Sequence, residues 1–148
     1  MKKIRWGVIS SAKIGTDKVI PAMQQSETGE IKALASRNEE TSKRVCENLG
    51  IPKAYGSYEE LLADPKIDAI YNPLPNHLHV PWTIKAAKSG KHVLCEKPIA
   101  LNAKEASQLL EVQKDTGVII VEAFMIRDNP QWHWVQEQVK CREIGELR

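Results

Sequence analysis

The chain has 148 residues, of which 42% are hydrophobic and 27% charged, and its formal net charge is +2. This length suits one globular domain, and the small, dispersed charge gives no reason to expect nucleic acid as a partner. No stretch reaches the roughly 20 apolar residues that a membrane span needs. We expect a cytoplasmic protein, because no secretory apolar core follows the N-terminus and the three cysteines have no metal-site spacing.

Short apolar runs alternate with helical patterns along nearly the whole chain. The predicted strands cover residues 4–10, 30–36, 53–55, 67–72, 92–95 and 118–122. Alternation of this kind is typical of a parallel sheet with helices on both faces. The sequence therefore predicts an α/β fold with a doubly wound parallel sheet.

Between the strands, local signals mark where helices begin, bend and end. Pro21 lies well inside the first helix, residues 14–25, so we expect a kink or a restart there. The second helix covers residues 39–49 and stops at Gly50. In the helix over residues 102–116, Asn102 is the predicted cap and Glu105 its capping-box partner, and the predicted buried stripe is Ala106, Leu109 and Leu110.

The pattern changes after residue 122. Residues 127–130 read as a loop, and residues 131–140 read as a helix that carries Trp132 and Val135. Residues 144–148 resemble the start of a further strand. We expect some apolar side chains of the last helix to face solvent or a second copy of the chain, which predicts a homo-oligomer.

The first predicted strand leads into a turn where a dinucleotide fingerprint would lie, with the residues Ser10, Ser11, Ala12, Lys13, Ile14 and Gly15. Only the third glycine of the fingerprint is present. Ser10 and Ala12 are nevertheless small enough for backbone N–H groups to approach a pyrophosphate. The alternative is a plain connection between a strand and a helix.

The second predicted strand ends at Ser36 and Arg37. An NAD-preferring site would place an acidic side chain here, against the ribose diol of adenosine. An arginine pairs instead with a 2′-phosphate, so this position favours NADP, with NAD as the other possible cofactor. The alternative is a solvated arginine that opens the next helix.

The fourth predicted strand leads into a proline-rich loop at the switch point between the sheet halves, where doubly wound folds bind ligands. The candidate cofactor contacts in this loop are Pro73, Leu74, Asn76 and His77. His77 and His79 have no acidic or cysteine companion, so we expect no metal site. For His79 the structural interpretation is favoured, and for His77 both interpretations stay open.

The fifth predicted strand ends in Glu96, Lys97 and Pro98. Pro98 restricts Lys97 to an extended backbone. A lysine beside a nicotinamide can hydrogen-bond a substrate oxygen and exchange a proton with it, so Lys97 is the candidate catalytic residue. The alternative is an ordinary surface lysine in a loop.

Three stretches of the chain together resemble one protein family. They are residues 90–98, with Glu96-Lys97-Pro98, residues 54–61, and residues 122–125 with the nearby Arg127 and Pro130. Over its whole length the chain resembles the Gfo/Idh/MocA oxidoreductases, which include sugar, inositol and trans-dihydrodiol dehydrogenases. The turn at Ser10 and Ala12 departs from the glycine-rich version of the family motif, as it does in the dihydrodiol and sugar dehydrogenase branches.

The resemblance implies a Rossmann domain over residues 1–125, and a connecting helix with the start of a substrate domain over residues 126–148. In the complete enzyme an open-faced sheet domain would follow and supply an acidic residue and a histidine that act with Lys97. Glu96 would hold the cofactor or Lys97, and Arg127 would lie near the nicotinamide. The implied reaction is hydride transfer between NADP(H) and a sugar, polyol or related hydroxy or carbonyl compound, and we expect this chain alone to be inactive.

Two other functions remain open. A non-catalytic dinucleotide sensor of the same family would keep the fold without the chemistry, and Lys97 argues against it. A methyltransferase that binds S-adenosylmethionine would prefer an acidic residue where Arg37 stands.

Overall fold

The computed structural model describes residues 2–146, which form one parallel sheet with helices on both faces. The strands are β1 (Ile4–Ile9), β2 (Gly29–Ala35), β3 (Lys53–Tyr55), β4 (Ala69–Asn72), β5 (His92–Glu96) and β6 (Ile120–Ala123). The helices are α1 (Ile20–Gln24), α2 (Glu39–Leu49), α3 (Tyr58–Ala63), α4 (His79–Lys88), α5 (Ala103–Thr116) and α6 (Pro130–Lys140).

The strands lie in the order β3-β2-β1-β4-β5-β6, and all neighbouring pairs are parallel. The chain winds outward from β1 in one direction and then, through β4, in the other. The order therefore reverses between β1 and β4, which is the switch point of a doubly wound sheet. The predicted α/β fold and its Rossmann architecture are confirmed.

Two apolar layers hold the helices on the sheet. On one face, Ile20 of α1 and Cys46 of α2 pack with Val8, Leu34 and Tyr71 of the sheet. On the other face, α3 and α4 pack on β1, β2, β4 and β5, and α5 packs beside α4. Helices α1 and α2 thus cover the half of this face that contains β2 and β3. At the other end of the sheet, Val121 of β6 is 43% exposed.

Helix ends follow the local signals of the sequence. Helix α2 covers the predicted residues and ends at Gly50, whose φ of 65° is left-handed. The side chain of Asn102 accepts a hydrogen bond from the Glu105 N–H at 2.9 Å, as a cap does. Near Pro21, where the sequence predicts a kink or a restart, the helix is continuous and changes type, because a π-helix, Gly15–Val19, passes directly into α1 at Ile20.

Two expectations about the later part of the chain are wrong. Leu110 is 69% exposed, and Val112 is buried instead, because α5 touches the rest of the protein along a narrow stripe beside α4. Residues 144–146 do not begin a strand. Ile144 belongs to a turn over residues 141–144, and Arg142 and Gly145 have φ values of 59° and 83°, a left-handed backbone that cannot extend as a strand does. Residues 147 and 148 lie outside the described residues.

Ion pairs and hydrogen bonds cluster at the amino ends of the strands. Arg5 donates to both carboxylate oxygens of Asp68, at 2.8 and 2.6 Å. The Tyr55 hydroxyl donates to Asp64, and this bond lowers the pKa of Asp64 to about 2, against the opposing effect of burial. No helix within residues 2–146 is long and apolar enough to cross a membrane.

The bond to Asp64 predicts a pH dependence of stability. A carboxyl whose pKa is depressed in the folded state stabilises the fold above its unfolded pKa of about 4, and this contribution is lost as the pH falls to about 2. We expect the free energy of unfolding at pH 5 to be larger for wild type than for Asp64→Asn. At pH 2 this difference should be smaller. Urea unfolding at the two pH values measures it. Asp115→Asn makes the same substitution at an exposed position and is the control. A difference for Asp64→Asn that is the same at both pH values would contradict this prediction.

Candidate functional site

The predicted site residues follow the carboxyl ends of the strands, which share one edge of a parallel sheet. Arg37 lies just after β2, Ser10 follows β1 and Pro73 follows β4, while Glu96 ends β5 and Lys97 follows it. Since these strands are neighbours in the sheet, the residues are arranged along the edge in that order. A dinucleotide laid across this edge would meet Arg37 at one end and Lys97 at the other.

The turn after β1 has a backbone that favours glycine. Ser10 has a φ of 118°, which non-glycine residues rarely adopt. Its hydroxyl accepts a hydrogen bond from the Ala12 N–H at 2.9 Å, and its own N–H donates to the Ala35 carbonyl at 2.8 Å. These two bonds hold Ser10 where the first glycine of a dinucleotide fingerprint would lie, and leave Ser11 and Ala12 partly exposed beside it.

Gly15 brings the start of the helix close to β4. A Cβ added at Gly15 would lie 3.4 Å from Cε1 of Tyr71 and 3.6 Å from Cγ of Pro73, which is ordinary van der Waals contact. Lys13 and Ile14 are exposed at the same turn. The short side chains and the helix start fit a pyrophosphate, because the first N–H groups of a helix have no partner within the helix.

Arg37 is exposed at the end of β2, beside the buried Tyr58 of α3, and Ser36 before it is buried. Burial raises the pKa of Tyr58, and the nearby guanidinium of Arg37 partly offsets this rise. The acidic neighbour Glu39 pairs with Lys43 at 2.8 Å, a hydrogen bond that lowers the pKa of Glu39. Glu39 therefore has its own cation, and the Arg37 guanidinium is accessible to an anion.

A buried network shapes the loop after β4. The side-chain amide of Asn72 donates to the His79 carbonyl and to Oγ1 of Thr83, both at 3.2 Å, and its oxygen accepts from the Leu74 N–H. The ring nitrogens of His79 lie 2.6 Å from the Leu74 carbonyl oxygen and 2.7 Å from that of Pro98. His79 is thus a structural residue that joins this loop to the segment after Lys97.

The loop divides its four candidate cofactor contacts between core and surface. The Leu74 side chain is 6% exposed and belongs to the core. Only the backbone of Leu74 takes part in the hydrogen bonds with Asn72 and His79. Pro73 is also buried, against the position of Gly15. Asn76 and His77 are exposed on a 3₁₀ turn, Asn76–Leu78, and these two side chains are free to meet a ligand.

Glu96 and Lys97 stand at the carboxyl end of β5. The Glu96 carboxylate accepts from the Tyr71 hydroxyl at 2.7 Å and from the Lys97 backbone N–H at 3.3 Å. The Lys97 side chain is exposed. No salt bridge within residues 2–146 engages its ammonium group, which is therefore available to a substrate oxygen.

Arg127 lies beyond β6 on a 3₁₀ turn, Met125–Asp128, and is exposed. Among the described residues no hydrogen bond joins its guanidinium to Glu96 or Lys97. The structure thus brings the segments after β1, β2, β4 and β5 to one edge, with Arg127 in the segment that follows the neighbouring β6.

Three residues that organise this edge were not singled out from the sequence: Tyr58, Tyr71 and Asn72. Asn72 ends a wholly buried strand, and a polar side chain in such a strand is a signal that sequence inspection can detect. Tyr71 carries no comparable signal, because its partner Glu96 is 25 residues away on another strand. Tyr58 lies in the stretch that carries part of the family resemblance, but nothing there indicates its proximity to Arg37.

Comparison with known proteins agrees with this geometry. The family model of Gfo/Idh/MocA, described as an oxidoreductase family with an NAD-binding Rossmann fold, matches residues 4–124. An uncharacterized oxidoreductase of Rhizobium meliloti is 50% identical over 148 residues, which are 100% of this chain and 44% of that protein. A D-xylose 1-dehydrogenase (NADP(+)) of Haloferax volcanii is 50% identical over 140 residues, covering 95% of this chain and 42% of the relative.

Among solved structures, a 3-ketoreductase from Actinomadura kijaniata in complex with TDP-benzene and NADP is similar with a TM-score of 0.90 and 36% identity. The similarity covers 99% of this chain and 46% of that one. The chain spans less than half the length of each of these three relatives.

Proposed function

The chain belongs to the Gfo/Idh/MocA oxidoreductases, a family with an NAD-binding Rossmann fold, and on this premise we propose that it is the cofactor-binding part of an NADP-dependent dehydrogenase or reductase. The substrate would be a sugar, a polyol or a related hydroxy or carbonyl compound. The observation that carries the proposal is the arrangement of Arg37, the Ser10 turn, the β4 loop and Lys97 along one edge in strand order.

Relatives support both the cofactor and the substrate class. The Haloferax volcanii relative is named as an NADP(+) dehydrogenase of D-xylose, and the Actinomadura kijaniata ketoreductase was solved with NADP. The substrate-selecting residues of such an enzyme belong to the part of the relatives that this chain does not span, so the particular substrate has to come from assay of the complete protein.

Each segment of the edge has a role in this proposal. Arg37 and Ser36 bind the adenosine end, and the residues from Ser10 to Gly15 bind the pyrophosphate with backbone N–H groups. Pro73, Leu74, Asn76 and His77 line the middle of the edge, the Leu74 contact being with its backbone. Glu96, Lys97 and Arg127 surround the nicotinamide end.

When bound, the nicotinamide supplies a carbon that accepts or donates hydride. Lys97 would act on the substrate oxygen: in the reductive direction its ammonium group would donate a proton to the carbonyl oxygen and stabilise the negative charge that develops there, and in the oxidative direction its neutral amine would accept the hydroxyl proton. In the oxidative direction a C–H and an O–H of the substrate would become a carbonyl, with the bound nicotinamide as the acceptor of the hydride and the Lys97 amine as the acceptor of the proton.

We further propose that the cofactor domain comprises residues 1–125 and that residues 126–148 connect it to a substrate domain in the complete protein. Helix α6 supports this division, because none of its side chains is buried and Trp132 and Trp134 are 42% and 60% exposed. Exposed aromatic side chains of this kind also support association with a further domain or a second copy. The cytoplasmic location stays a prediction from the sequence.

The cofactor preference gives a direct test on this chain. We expect NADP(H) to bind more tightly than NAD(H), by about tenfold to a hundredfold, since a charge-assisted hydrogen bond from Arg37 to the 2′-phosphate contributes about 1.5–3 kcal/mol. The Arg37→Ala variant should lose most of this preference. Titration followed by nicotinamide fluorescence measures both affinities.

The matched control is Arg44→Ala, which removes the same charge from an exposed position of α2. It should retain the preference for NADP(H). Equal affinities of the two cofactors in wild type would refute the proposed role of Arg37, and the failure of both cofactors to bind would refute the function itself.

A further inference from the structure

Tyr71 is a fully buried residue of β4 that carries one polar atom into the cofactor edge. Its side chain has no exposed surface and packs in the apolar layer with Val8 and Ile20. Its hydroxyl donates to Oε1 of Glu96 at 2.7 Å. Burial and this carboxylate raise the pKa of Tyr71 far above its ordinary value, so the hydroxyl remains a donor throughout the working pH range.

The bond from Tyr71 continues to the catalytic lysine of the proposed function. Oε2 of Glu96 accepts the backbone N–H of Lys97 at 3.3 Å. Each oxygen of the Glu96 carboxylate therefore accepts one hydrogen bond: Oε1 from the Tyr71 hydroxyl in the core, and Oε2 from the Lys97 N–H just after β5. The carboxylate has little freedom to rotate while both bonds are present.

The same tyrosine ring also faces the pyrophosphate turn. Its Cε1 would lie 3.4 Å from a Cβ at Gly15, where the helix begins. The Tyr71 ring thus lies close to Gly15, and its hydroxyl bonds to Glu96. Tyr71 therefore lies between the turn that would hold the pyrophosphate and the segment that would hold the nicotinamide.

We propose that Tyr71 is a positioning residue that acts through Glu96 to fix Lys97 relative to the Gly15 turn. The inference rests on the proposed function of Lys97. Its physical basis is that a catalytic group contributes fully only when it is held close to its productive geometry, and a displacement of about 1 Å can cost on the order of a hundredfold in rate. The Lys97 side chain is exposed, and Glu96 acts on it by holding the backbone N–H of Lys97, from which the side chain extends.

The test uses the complete protein with Tyr71→Phe, which keeps the buried ring and removes only the hydroxyl. We expect kcat to fall on the order of tenfold while the Kd for NADP changes less than threefold, because the ring still packs against the turn. The control is Tyr55→Phe, which removes an equivalent bond from a tyrosine to a carboxylate, that of Asp64 at the end of α3. This control should leave kcat unchanged.

A double-variant experiment establishes whether Tyr71 acts through Glu96. If it does, Tyr71→Phe combined with Glu96→Gln should be no slower than Glu96→Gln alone. Additive losses, or an unchanged kcat in Tyr71→Phe, would overturn the inference.

An NMR measurement, which needs no enzyme turnover, distinguishes failure of this inference from failure of the proposed function. The backbone amide resonance of Lys97, followed by NMR, should shift in Tyr71→Phe and stay in place in Tyr55→Phe. If the wild-type protein oxidises no sugar or polyol but the resonance shifts, the proposed function fails while the link from Tyr71 to Lys97 stands. If the resonance is unchanged, the link itself is refuted.

Discussion

The Lys97→Met variant of the complete protein should lose kcat by roughly 10²- to 10⁴-fold, the contribution that a positioned acid or base makes to proton transfer. Methionine keeps the length and apolar character of the side chain and removes the charge and the exchangeable protons. The cofactor Kd should change little, because Lys97 acts on the reacting oxygen of the substrate. Steady-state kinetics and cofactor titration measure the two effects separately.

The control for this variant is Lys104→Met, which makes the same change at an exposed position at the start of α5. It should leave kcat within experimental error of wild type. An unchanged turnover in Lys97→Met would make Lys97 an ordinary loop lysine. A complete protein that binds NADP but transfers hydride to no member of a sugar and polyol panel would favour the sensor of the same family.

The second large effect is expected at Asn72, on the stability of the chain. Asn72→Ala removes three hydrogen bonds and leaves the His79 carbonyl, the Leu74 N–H and the Thr83 hydroxyl without that partner. Each unsatisfied buried group costs about 1–3 kcal/mol, so we expect a loss of roughly 3 kcal/mol and a Tm lower by about 10 °C. Thermal and urea unfolding measure this loss.

Asn48→Ala is the comparison, since Asn48 is exposed in the last turn of α2 and alanine favours a helix. That variant should be as stable as wild type or slightly more stable. If Asn72→Ala melts within about 2 °C of wild type, the low end of the roughly 2–4 °C shift that 1 kcal/mol produces in a domain of this size, then the Asn72 network does not hold the loop after β4.

The sequence predicted those parts of the fold whose causes are local. Gly50 stops α2 through its own left-handed backbone, and Asn102 caps α5 through an N–H three residues away. The doubly wound parallel sheet also followed from a regular alternation of apolar runs and helical patterns. Periodicity within α5 could not reveal that Leu110 is exposed, because exposure depends on which neighbouring helix the segment meets.

The candidate site likewise has some features that the sequence predicts and others that depend on contacts between distant parts of the chain. The positions of Arg37 and Lys97 at strand ends could be predicted, because parallel strands bring their carboxyl ends to one edge. The bond between Tyr71 and Glu96 could not, since it joins two strands through side chains whose distance depends on the register of the sheet. Leu74 likewise has a buried side chain because the loop folds back on the core, which its sequence does not indicate.

β1 is the first strand in the chain and yet lies at the centre of the sheet, between β2 and β4. When β1 pairs with β4, Arg5 bonds to Asp68, which is 63 residues away in the sequence. A contact between residues so far apart in the sequence forms slowly, because a long loop must close first. On a ribosome, β1, β2 and β3 emerge well before β4 at about 5–20 residues per second. The switch point between β1 and β4 therefore arises only when β4 pairs with β1, and until then one edge of β1 is unpaired and open to strands of other nascent chains.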